Sequence, residues 1–104
     1  VSVEPTRDPV RLDAIVRGRV QGVGFRMYVV RRASERGVVG WVANGADGSV
    51  RCVAEGPRAA LDLLLDDLRR GPPGSAVAEV RSTWSAANGS FASFGVRPGS
   101  HPGD

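Results

Sequence analysis

The chain has 104 residues, 41% of them hydrophobic, and a formal net charge of +3. That suits one small domain with one core and is too weakly charged for a disordered polymer. Cys52 and His101 are each the single residue of their type. They exclude an intrachain disulfide and argue against a thiolate cluster, a two-histidine metal site and a histidine-activated nucleophile.

No apolar run approaches the ~20 residues that a membrane span needs, and no basic-then-apolar leader opens the chain. A cytoplasmic protein with no membrane association is expected. Val1 stands where a start methionine would, so a processed N-terminus is expected. All fourteen basic residues are arginine, none in a run longer than two. The acids are interspersed, so the sequence carries no concentrated nucleic-acid footprint.

In chain order, residues 1–9 hold Pro5 and Pro9 and read as a flexible arm. Residues 10–20 alternate, with Val10, Leu12, Ala14, Val16 and Val20 on one parity, as in a half-buried strand. Phe25, Val29, Val30 and Ala33 then take helical spacing, and Gly37 supplies the stop. Residues 38–43 read as a strand, followed by the turn signals Asn44-Gly45 and Asp47-Gly48. Val50, Cys52 and Ala54 alternate with Arg51, Val53 and Glu55 in the returning strand.

Pro57 suits a first helical position, and Leu61, Leu64, Leu65 and Leu68 form an apolar stripe behind it. Asp62 toward the start and Arg69 and Arg70 at the end match the helix dipole. Asp62, Asp66 and Asp67 read as a solvated face. Gly71-Pro72-Pro73-Gly74 ends the helix, and strands are expected at 76–84 and 91–97, split by an Asn88-Gly89 turn. Residues 98–104 read as a flexible tail around a single domain at 10–97.

The order β-α-β-β-α-β with a last short strand predicts an α+β, ferredoxin-like (split βαβ) domain: an antiparallel sheet with two helices on one face. Trp41, Trp84 and Cys52 are expected to be packing residues.

The segment Gly18-Arg19-Val20-Gln21-Gly22-Val23-Gly24-Phe25-Arg26 lies between the first strand and the first helix. A glycine-rich turn there leaves backbone N–H groups unpaired at the positive end of a helix. Arg26 adds a permanently charged, forked donor. A phosphate-sized anion matches this donor set, although a purely structural turn has the same composition. Asn44, eighteen residues on, reads either as an ordinary turn residue or as a carboxamide that holds a water molecule. No Walker-type Gly-Lys-Ser/Thr is present.

Gly-x-Val-Gln-Gly-Val-x-Phe-Arg at 18–26, followed by Gly-Trp-Val-x-Asn-x-x-Asp-Gly-x-Val at 40–50, resembles the acylphosphatase family. The likeness continues through Gly71-Pro72-Pro73 and the final Phe94-x-Val96-Arg97. It implies an enzyme that hydrolyses the carboxyl–phosphate bond of acyl phosphates without metal or other cofactor. It further implies that phosphate is bound by the N–H groups of Gln21, Gly22, Val23, Gly24 and Phe25 together with Arg26. Catalytic roles fall to Arg26, which grips the phosphate, and Asn44, which positions the attacking water. Gly45 stands where many members carry a larger or hydroxyl-bearing side chain, which bears on how Asn44 is held.

The residue inventory agrees with that chemistry. Phosphoryl transfer has a loose transition state, so catalysis is mainly positioning and electrostatic stabilisation. A carboxylate leaves without being protonated, so no histidine acid is required. The expected partner is a small-molecule acyl phosphate, with no nucleic acid, and a monomer is expected. The alternatives are a non-catalytic ferredoxin-like RNA-binding module, whose aromatic-rich signature strand is missing here, and a regulatory domain of a larger carbamoyl-transfer protein.

Overall fold

The computed structural model describes residues 9–98; apart from Pro9 and Pro98, the expected arm and tail, with His101, lie outside the described residues. Seven elements follow in order: β1 (Val10–Arg19), α1 (Phe25–Arg36), β2 (Val39–Asn44), β3 (Val50–Gly56), α2 (Arg58–Arg70), β4 (Ala76–Ala86) and β5 (Phe94–Val96). The strands form one sheet in the order β4-β1-β3-β2-β5. This is the expected ferredoxin-like plan. Its four long strands are antiparallel, whereas β5 pairs parallel with β2 and makes the sheet mixed.

The core forms where the apolar stripes of strands and helices meet. Leu12, Ala14 and Val16 from β1, Val50, Cys52 and Ala54 from β3, and Val42 from β2 are all fully buried. They pack with Phe25, Tyr28, Val29 and Ala33 of α1 and Leu61, Leu64, Leu65 and Leu68 of α2. Each large apolar side chain so buried contributes roughly 1.5–3 kcal/mol. Gly37, in the left-handed region at φ 71°, ends α1, and Val38 N–H donates to Ala33 O. α2 starts one residue later than the sequence suggests, with Pro57 as its N-cap, and its first turn holds no acid.

Three expectations change. Val53 and Glu55 are buried although they have the parity opposite to the core: β3 is the central strand, and Arg11 with the N–H groups of Asn88 and Gly89 closes on Glu55, whereas Arg51 of the same parity stays exposed. Asn88-Gly89 does not join a hairpin. Residues 87–93 instead carry the chain from one sheet edge (β4) to the other (β5), and their Asn88 and Gly89 N–H groups donate to the Glu55 carboxylate at 3.1 Å each. Asp67 is not solvated: it is 1% exposed, and Arg36 grips both its oxygens at 3.1 Å. The Tyr28 hydroxyl donates to Asp67 O at 2.8 Å, so this cluster locks α1 against α2.

Trp84 lies on the helix-facing side against the core, with the Arg58 guanidinium 3.6 Å from its ring centroid. Cys52 is fully buried, and burial pushes its thiol pKa up to about 12. No helix among the described residues is long and apolar enough to cross a membrane.

Candidate active site

The β1–α1 turn is built from left-handed glycines. Gly22 has φ 75° and Gly24 has φ 76°. A Cβ on either would meet no protein atom within 4 Å, so backbone conformation rather than crowding calls for glycine at both positions. Gly24 is the N-cap of α1, with no side-chain cap and no acid in the first turn. The first intrahelical bond is Tyr28 N–H to Gly24 O. Among the described residues, the N–H groups of Gln21, Gly22, Val23, Gly24 and Phe25 have no acceptor. The positive end of α1 therefore keeps its donors uncapped.

A cavity of about 110 Å³ opens at this turn, lined by Val20, Gly22, Gly24, Phe25, Arg26, Met27 and Asn44. Arg26 and Asn44, far apart in sequence, thus share one small space. Gln21 and Val23 do not line it. Phe25 is only 2% exposed, and its ring meets Tyr28 edge-on at 5.9 Å between centroids.

Asn44 closes β2 opposite Val50, and only 9% of it is exposed. Its carboxamide makes no hydrogen bond among the described residues, and no buried side-chain polar atom there lacks a partner. The amide atoms therefore border open space. The turn behind Asn44 is tightly fixed. Gly45 N–H donates to Ser49 O at 2.7 Å, Ser49 N–H donates to the Asp47 carboxylate at 3.1 Å, and Arg17 holds that carboxylate from β1 at 2.8 Å. The Ser49 hydroxyl bond, then the Arg17 bond, hold the Asp47 carboxyl well below the usual range. A Cβ at Gly45 would stand 2.7 Å from Ser49 Oγ and 2.9 Å from Asp47 Oδ1, so a larger residue there would require those two hydrogen-bonded side-chain ends to shift.

Sequence reasoning missed the Gln21 side chain. Its Nε2 donates to Gly45 O and Ser49 O, both at 2.9 Å, and so ties the glycine-rich turn to the turn that follows Asn44. The motif drew attention to the Gln21 backbone. Only the tertiary contact reveals the amide.

Asn44 also lines a second cavity, of about 210 Å³. Trp41, Ala43, Gly45, Arg51, Arg97 and Pro98 complete its walls. The Arg97 and Arg51 guanidiniums lie over the Trp41 indole, 4.4 and 5.4 Å from a ring centroid. The described residues contain no group of three His, Cys, Asp or Glu able to hold a metal ion.

The sequence matches the Acylphosphatase family model over residues 12–96. It is 48% identical over 87 residues to an acylphosphatase of Salinibacter ruber, covering 84% of this chain and 92% of that protein. It is 46% identical over 90 residues to one of Nocardia farcinica, covering 86% and 90%. The crystal structure of acylphosphatase from Bacillus subtilis superposes with a TM-score of 0.82 at 39% identity, covering 85% of this chain and 98% of that one.

Proposed function

The chain belongs to the acylphosphatase family and is an acylphosphatase, and from that premise we propose that it hydrolyses the carboxyl–phosphate bond with no metal ion, using Arg26, Asn44 and the loop amides. The observation that carries the proposal is the single cavity that Gly22, Gly24, Phe25, Arg26 and Asn44 share. In it, the N–H groups of Gly22, Gly24 and Phe25 and the Arg26 guanidinium surround the phosphoryl oxygens. The Asn44 carboxamide holds a water in line with the leaving carboxylate. The water oxygen bonds to phosphorus, and the phosphorus–oxygen bond to the acyl group breaks. The acyl carboxylate leaves with the electron pair, and the water's proton passes to a phosphoryl oxygen of the substrate.

Electrostatics and pre-organisation supply the rate. The N–H donors are fixed by the glycine dihedrals before substrate arrives, and their charge complements the equatorial oxygens. The test is benzoyl phosphate turnover in the presence of EDTA. Arg26→Ala is expected to lower kcat by about 10²–10³-fold, the scale for one pre-organised donor. Asn44→Ala is expected to lower kcat similarly while inorganic phosphate still inhibits with near wild-type affinity. Wild-type rates in both variants would refute the site assignment.

A further inference from the structure

We propose that Met27 is a modification site: oxidation of its thioether to the sulfoxide sets a hydrogen-bond acceptor on the Gly24 N–H and so weakens anion binding at the β1–α1 turn. The inference rests on the acyl phosphate hydrolase reading and adds to it a means of regulation. Three observations carry it.

First, the two sulfur atoms are placed very differently. The chain has one methionine and one cysteine. Cys52 is fully buried, whereas Met27 is 54% exposed. An oxidant in solution therefore meets the thioether and not the thiol. Met27 also lines the 110 Å³ cavity together with Gly22, Gly24, Arg26 and Asn44. The accessible sulfur stands at the anion site.

Second, Met27 holds a capping position. α1 begins at Phe25 with Gly24 as its N-cap, so Met27 is the third helical residue. Helical side chains lean toward the N-terminus, over the turn that precedes them. From the third position a Glu or Gln side chain reaches back to the N–H of the N-cap residue. Here that N–H is open: Gly24 N–H has no acceptor among the described residues, and α1 has no side-chain cap. It is one of the donors assigned above to the phosphoryl oxygens.

Third, oxidation supplies the missing acceptor. A thioether sulfur accepts hydrogen bonds only weakly. The sulfoxide carries its oxygen on Sδ, where glutamine carries Oε1 on Cδ, so oxidised Met27 presents the acceptor of a capping glutamine. The co-reactant is a peroxide. A sulfur lone pair attacks one peroxide oxygen, the O–O bond breaks, and the second oxygen leaves as water after proton transfer. Sulfur gives up two electrons and the peroxide takes them. A thiol-dependent sulfoxide reductase reverses the step. Because Met27 is half in solvent, the added polarity burdens no core.

The experiment treats full-length wild type, Met27→Leu and Met27→Gln with hydrogen peroxide. Intact mass, benzoyl phosphate kinetics, inhibition by inorganic phosphate and thermal melts are followed before and after. Oxidised wild type is expected to carry one added oxygen and to show KM and the phosphate Ki raised together about tenfold, the scale of one hydrogen bond to a charged group. Its kcat is expected to hold, since bound phosphate has already displaced the sulfoxide oxygen. Its Tm is expected to rise by about 5 °C, as for a new helix cap. Sulfoxide reductase with a thiol is expected to restore all three values. Met27→Gln is expected to show the raised KM, Ki and Tm without peroxide, and Met27→Leu to keep its own untreated values after it. Unchanged KM and Ki in singly oxidised wild type, an equal loss in treated Met27→Leu, or a fall in Tm together with kcat would overturn the proposal. So would a wild type that takes up no oxygen where free methionine is oxidised. If untreated wild type fails to hydrolyse benzoyl phosphate, the hydrolase reading falls, and phosphate affinity by calorimetry with the melts still decides the cap.

Discussion

The Gln21 side chain offers a sharp test of how the site is assembled. Its Nε2 bonds to Gly45 O and Ser49 O tie the glycine-rich turn to the turn behind Asn44. Gln21→Met keeps the length of the chain and every backbone N–H but removes both donors. Gly45 O keeps a second partner, Gly48 N–H at 3.2 Å, so it is not orphaned. At about 1 kcal/mol net per bond, with Gln21 only half-buried, the loss is about 1–2 kcal/mol. For a domain of this size that lowers Tm by roughly 5–15 °C. Turnover is expected to fall further than stability explains, by about 10–100-fold in kcat, because a displacement near 1 Å at Asn44 costs about 10²-fold. Inhibition by inorganic phosphate is expected to persist. Gln21→Glu goes further, since it sets a carboxylate against two carbonyl oxygens. Its folded-state pKa is raised above the unfolded value of about 4.3. The penalty is therefore least below that value, grows as pH rises, and is complete above the folded pKa. Urea unfolding from pH 4 to 7.5, run beside benzoyl phosphate kinetics, measures both effects. Wild-type stability and kcat in Gln21→Met, or a pH-independent penalty in Gln21→Glu, would refute the reasoning.

Other consequences are open to direct measurement. Gly24→Ala meets no atom and costs about 1 kcal/mol or more through its φ of 76° alone, whereas a Cβ at Gly40 would sit 1.9 Å from Val53 O, so Gly40→Ala is expected not to fold; thermal melts separate the two. Iodoacetamide at pH 8 is expected to leave Cys52 unmodified in the native protein and to label it fully in urea, since its thiol is buried with a pKa of about 12. Burial pushes the Glu55 carboxyl up, but the Arg11 guanidinium and the Asn88 and Gly89 N–H groups outweigh it and hold the pKa below the ordinary value. Its contribution to stability is therefore complete above the unfolded carboxyl pKa and lost as pH falls through the folded one. Glu55→Gln is expected to flatten acid unfolding over that range.

Much of this molecule is legible before any coordinates. The even-numbered residues of β1 and the leucine stripe of α2 each have one buried face, so their period reveals both the element and its orientation. The Gln21–Arg26 turn and Asn44 are visible because glycine before a helix and asparagine at a strand end restrict the chemistry on offer. What stayed hidden depends on partners distant in sequence. Asp67 sits in an acidic stretch of the kind that faces water, and its burial depends on the two-pronged grip of Arg36, 31 residues away. Glu55 looks like the polar face of a hairpin strand until residues 87–93 cross over and donate to it. β5 has three residues and a parallel partner, too short a pattern to reveal which edge it joins.

That short strand has a further consequence. β5 is hydrogen-bonded to one neighbour through three residue pairs, with Gly40 N–H to Ser93 O and Arg97 N–H to Val42 O at its ends. It is the least anchored part of the sheet, so its amides are expected to exchange with deuterium ahead of those of β1 and β3. The glycine turn, by contrast, is rooted between β1 and α1. Drift in the sequence at 94–98 can therefore alter the wall that Arg97 and Pro98 give the 210 Å³ cavity while the glycine turn keeps its shape, a modular division of labour between a fixed socket and a replaceable panel.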